Sequence, residues 1–181
     1  MKLPWPGFNE KGSLIIPLEW SEVPFPQRPI NVEGERFEPK DELHVTVIGK
    51  KPGHVILEKI LPDPRIESTL RQNFEEIDWS LNLGDMVHLL SRETVNSAES
   101  TFDLEETFVL PLQVPGMAAF YECLKSHGLL PGNTLTPPPH ITLYTRNCPG
   151  GIGVPDEATL IRLTRRTIPV IDLLFQDQHS R

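Results

Sequence analysis

Two segments of the chain alternate apolar and polar residues with the two-residue period of a half-buried strand. Glu42 to Gly49, ELHVTVIG, sets Leu43, Val45 and Val47 on one side and His44 with Thr46 on the other, because side chains i and i+2 share a strand face. Pro137 to Arg146, PPPHITLYTR, repeats the arrangement, with Ile141 and Leu143 opposite His140, Thr142 and Tyr144. Leu14 to Leu18 and Thr107 to Val114 are further apolar strands, and Ile168 to Phe175 reads as the last one. Trp79 to Leu83 and Met86 to Arg92 read as a hairpin about Gly84-Asp85.

Helical spacing joins Ile66, Leu70, Phe74 and Ile77, which predicts a helix from Pro64 to about Glu76, with Asp63 at its cap. Met117, Phe120, Tyr121 and Leu124 mark a second helix, opened by Pro115-Gly116 and stopped at Gly128. A short third helix starts from Asp156. Strands outnumber helices and recur around each of them, which predicts an α+β fold with a mostly antiparallel sheet.

Composition changes this picture at the ends and loops. Of the 19 prolines, Pro4, Pro6, Pro17, Pro24, Pro26 and Pro29 fall early. They predict an extended Pro-rich segment over about residues 1–40, with a polar loop from Gln27 to Lys40. Asn147 to Gly153 is Gly-rich and reads as a mobile loop near the cleft, a candidate lid. It lacks the lysine and the Ser/Thr of a phosphate-binding loop. A length of 181 residues suits one domain. No apolar run approaches a membrane span, and Met1 to Phe8 has no signal-peptide core. A cytoplasmic monomer away from membranes is therefore expected. Cys123 and Cys148 are expected as reduced thiols.

Seventeen basic against 25 acidic residues leaves a net charge of −8. A groove that follows many phosphates needs clustered cations, so no long nucleic acid is expected as partner. A small nucleotide or an RNA-terminus phosphodiester, held by a few local contacts, remains compatible. Arg162, Arg165 and Arg166 have helical spacing and read as a solvated helix face.

The chemistry concentrates in the two strand motifs. Two imidazoles facing one phosphate form an acid and base pair: a neutral ring removes a proton and a protonated ring returns one to the leaving oxygen. The hydroxyls of Thr46 and Thr142 are suited to hydrogen-bond the non-bridging oxygens as their charge grows. Such a site needs no metal or other cofactor. The competing reading is a pair of core strands that merely hold a buried His and Thr. Tyr144 either stacks on a base, donates to phosphate, or packs. Trp20 and Trp79 divide in the same way between base stacking and packing. His88 reads as a core or hairpin histidine, and His54, His127 and His179 as solvated residues of turns or the tail.

The paired motifs resemble the His-x-Thr-x signatures of the two-histidine (2H) phosphoesterase superfamily. That group includes the 2′-5′ RNA ligase-like proteins and cyclic nucleotide phosphodiesterases. The similarity extends to order: the strand Leu14 to Leu18, then ERFEPKDELHVTV, and later FVLPLQVPGMAAFYECLKSHGLLP before the second motif. It spans most of Gly12 to Arg146. The resemblance implies two pseudo-symmetric α+β lobes around a central cleft. It makes His44 and His140 the catalytic acid/base pair and Thr46 and Thr142 substrate ligands. The implied reaction opens a 2′,3′-cyclic phosphate or related phosphodiester. Relatives often carry Arg five residues after the second His; here that residue is Thr145, with Arg146 next. On an unbroken strand Arg146 shares the His140 face, where it either reaches phosphate or lies on the surface. A non-catalytic nucleotide- or RNA-end-binding module and a partner-binding protein with a vestigial cleft stand as alternatives.

Overall fold

The computed structural model describes residues 1–96 and 101–176. Its strands are β1 Leu14–Leu18, β2 Ile30–Val32, β3 Glu35–Pro39, β4 Leu43–Ile48, β5 Asn82–Leu83, β6 Met86–Asn96, β7 Thr101–Gln113, β8 His140–Arg146 and β9 Thr164–Pro169. The helices are α1 Lys50–Ile60, α2 Pro64–Glu76, α3 Pro115–Ser126, α4 Glu157–Leu163 and α5 Val170–Gln176. The fold is α+β, and every described strand pair is antiparallel. The central path runs β1-β4-β8-β7-β6-β9, with β3 joined to β8 and β5 to β7. Among the described residues no helix is long and apolar enough to cross a membrane.

The alternation in the motif strands becomes burial. In β4, Leu43, Val45 and Val47 are buried while His44 and Thr46 are half-buried. The buried face joins a core with Leu14, Ile16, Ile56, Leu70, Phe74, Met117, Phe120 and Ile141, so α1, α2 and α3 cover that side. Each such side chain contributes about 1.5–3 kcal/mol on burial. The Tyr121 hydroxyl donates to the Val47 carbonyl at 3.2 Å, which ties α3 to β4, and burial pushes the phenol up to about 12. A smaller cluster of Leu90, Val109, Cys148, Ile152, Val154 and Leu160 covers part of the other face.

The helices α2 and α3 follow their apolar spacing. The Asp63 side chain accepts from Arg65 N at the α2 cap, and Gly128 after α3 has φ +66. Several expectations are corrected. The polar segment 27–40 is not all loop: β2 and β3 form a hairpin about Glu33 and Gly34, both with positive φ, as a two-residue type I′ turn requires. Asp85 and Gly84 do not close a hairpin, because β5 pairs with β7 rather than β6. The last strand is β9, and Val170–Gln176 is helical. The three arginines therefore share no helix face: Arg162 lies on α4, Arg165 and Arg166 on β9. Arg165 pairs with Glu106 at 3.0 Å and Arg166 with Glu33.

Helix α1 was not legible in KKPGH because Pro52 and Gly53 look like breakers. Pro52 sits in the first turn, where its missing N–H costs nothing. Gly53 is needed for contact: a Cβ there would lie 1.7 Å from the Gly12 carbonyl oxygen. His54 is thus helical, against Gly12, rather than in a turn. His127 caps α3, and His179 lies outside the described residues.

Candidate active site

Strands β4 and β8 meet at Val45↔Ile141. One step to either side of that antiparallel pair sets His44 alongside Thr142 and Thr46 alongside His140. All four side chains share the sheet face opposite the main core, since Val45 and Ile141 belong to that core. The two rings are near enough that a charge on His140 would lower the His44 pKa. The four residues that the motifs single out therefore come together across one strand pair, each histidine alongside the threonine of the other motif.

The two rings are held differently. His140 Nδ1 lies 2.8 Å from the Pro138 carbonyl oxygen. That oxygen only accepts, so Nδ1 carries the proton and Nε2 is left for chemistry. Burial lowers the His140 pKa, and the carbonyl bond opposes part of that shift. His44 is also held below the ordinary imidazole value. Burial is the main cause, Lys40, His140 and Lys11 add to it, and Glu42 opposes it. His44 Nδ1 is buried with no hydrogen-bond partner among the described residues.

His44 and Thr46 line a cavity of about 590 Å³ with Asn9, Lys11, Lys40, Glu42 and Gly150 among its other walls. A neighbouring cavity of about 300 Å³ shares His44 and Glu42 and adds Pro17, Leu18, Trp20 and Gln27. His140 and Thr142 line neither. The Asn147 to Gly153 loop reaches the cavity through Gly150 and is packed against the sheet beside Thr142. Cys148 and Ile152 are buried, and Thr107 Oγ1 accepts from Ile152 N at 3.2 Å. Gly151, at φ +77, sits so close to Thr142 that an added Cβ would lie 3.1 Å from it. No family model, curated protein or solved structure matches this chain.

Two sequence-level candidates lie elsewhere. The β7–β8 register shifts between Phe108 and Val109, so Thr142 opposes Val109 while Tyr144 opposes Phe108. Neighbouring residues of β7 face opposite sides, so this bulge turns Tyr144 away from the His140 face. The Tyr144 ring is fully buried beside Trp20 and Phe25, and its hydroxyl donates to the Pro26 carbonyl at 2.7 Å. Tyr144 is a packing residue. Arg146 follows it to the other face and pairs with Glu35 at 2.6 Å and Glu106 at 3.4 Å. Thr145, opposite Thr107, takes the His140 face in its place.

Trp79 is a core residue stacked on Phe74, whereas Trp20 borders the smaller cavity. His88 shares the site face through its Val109 partner and sits 3.3 Å from the Thr164 hydroxyl. That hydroxyl donates to the Leu160 carbonyl, so the ring donates to it. Lys11, Lys40 and Glu42 were not anticipated. Strand parity alone marks Glu42, two residues before His44, whereas nothing local marks the lysines. Among the described residues no group of three or more His, Cys, Asp or Glu is placed to hold a metal ion.

Proposed function

We propose that this chain is a metal-independent phosphoesterase that opens a 2′,3′-cyclic phosphate, or a related phosphodiester, of a nucleotide or RNA end. The observation that carries the reading is the crossed pairing of His44 with Thr142 and Thr46 with His140 on one sheet face. In this reading β4 and β8 belong to two pseudo-symmetric lobes and line the cleft between them. One neutral imidazole takes a proton from water as its oxygen attacks phosphorus. The other ring, protonated, gives a proton to the ribose oxygen as its bond to phosphorus breaks. Thr46 and Thr142 hold the non-bridging oxygens, where charge accumulates.

Purified protein is assayed on 2′,3′-cyclic nucleotides with chelator present. His44→Ala and His140→Ala are each expected to lower kcat by about 10²–10⁴-fold. Unchanged hydrolysis in both variants, or a requirement for added metal, would overturn the proposal. One observation favours a second reading, a non-catalytic module that binds a nucleotide in the same cleft: His140 and Thr142 do not line the open cavity. Tight nucleotide binding without turnover, surviving loss of either histidine, would select it.

A further inference from the structure

The cavity beside His44 holds two ammonium groups that the motif chemistry does not use. Lys11 is carried on a turn that is fixed from both sides. Asn9 Oδ1 accepts from Lys11 N at 3.0 Å and Ser13 N at 2.9 Å, and Gly12 N donates to the Asn9 carbonyl at 2.8 Å. Gly12, at φ +74, is wedged against Gly53 and His54 of α1. Lys40 reaches the same cavity from the β3–β4 connection, and its Nζ donates to the Pro149 carbonyl at 2.6 Å. That acceptor is neutral, and Lys40 forms no ion pair with a described carboxylate.

Glu10, Asp41 and Glu42 line this cavity as well. Neither lysine forms an ion pair with them or with any other described carboxylate. The lining carries three carboxylates to two ammonium groups, so an anion is held there only by direct contact with Lys11 and Lys40, neither of which is spent on an ion pair. Both act on His44, lowering its pKa, so the anion they hold lies next to the reacting phosphate. The cavity of about 590 Å³ has room for far more than one phosphate, since a water occupies only about 30 Å³.

Resting on the phosphodiester reading, we infer that Lys11 and Lys40 form an anion subsite beside His44 and Thr46. The favoured substrate is then a nucleoside cyclic phosphate that also carries a phosphate monoester. The monoester takes the two ammonium groups, and Lys40 exchanges the Pro149 carbonyl for a phosphate oxygen.

The test compares kcat/KM for a nucleoside 2′,3′-cyclic phosphate with and without a 5′-phosphate. A charge-assisted contact of this kind is worth roughly tenfold, so the wild-type ratio is expected at about 10 or more. Lys11→Met and Lys40→Met are each expected to bring it toward unity. Lys51→Met, on an exposed part of α1 away from the cavity, is expected to retain it. A wild-type ratio near unity, or one retained in both cavity variants, would overturn the subsite. Loss of hydrolysis of both nucleotides in the wild type would remove the proposed reaction instead. The same ratio is then read from Kd by calorimetry, which decides the subsite separately.

Discussion

His44, His88 and His140 are each held below the ordinary imidazole pKa, with burial as the leading cause. An unfolded chain takes up protons on these side chains near pH 6.5, while the folded rings resist until a lower pH. Between those two points the unfolded state binds more protons, so acid draws the equilibrium toward it. Stability is expected to be full above about pH 7 and to fall as the pH drops through 6.5. Urea midpoints measured between pH 8 and 5 test this, before most carboxylates titrate. A midpoint that stays level, or a slope unchanged in the His44→Gln, His140→Gln double variant, would contradict it. Held neutral by burial, an imidazole is ready as a base. The Pro138 carbonyl keeps His140 in one tautomer without supplying a charge.

The turn Asn9–Ser13 and helix α1 form a unit through two glycines. Replacing a helix-interior glycine by alanine ordinarily gains about 1 kcal/mol. At Gly53 the added carbon would lie 1.7 Å from the Gly12 carbonyl oxygen, a backbone atom that cannot rotate aside. Gly53→Ala is therefore expected to destabilise by about 1–3 kcal/mol through overpacking, seen as a lower Tm. Gly132→Ala, with nothing within 4 Å of the added carbon, serves as the neutral comparison. An unshifted Tm in Gly53→Ala would mean that the turn gives way freely. The same contact explains why KKPGH is helical: its glycine answers to a neighbour 41 residues away (12 to 53) in sequence, which no local pattern reports.

Across the whole molecule, Glu106 of β7 links to Ser91 of β6, Arg146 of β8 and Arg165 of β9. Only 3% exposed, it accepts from Ser91 Oγ at 3.1 Å and Arg165 at 3.0 Å, and lies 3.4 Å from Arg146. Removing it leaves Arg146 facing only Glu35 and strips a buried network of its centre. Glu106→Ala is expected to cost about 2–4 kcal/mol, measured by denaturant unfolding; a loss within 0.5 kcal/mol, as at ordinary surface sites, would contradict this role. Arg146, placed by strand parity on the His140 face, lies instead on the opposite face and pairs with Glu35 and Glu106.

What the sequence by itself determined is whatever depends on local period and caps. The burial of Leu43, Val45 and Val47 against His44 and Thr46, the helix α2 with its Asp63 cap, and α3 with Gly128 all follow from neighbours within a few residues. The tertiary structure alone decided the rest, because strand partners and close approaches join residues far apart in the chain. It set β4 against β8, so that the two motifs cross. It placed β5 on β7 rather than β6, and it introduced the β8 bulge that sends Tyr144 and Arg146 to the other face while keeping Thr145. It also assembled Lys11 and Lys40 beside His44, since cavity walls come from loops whose own sequences carry no record of what they will face.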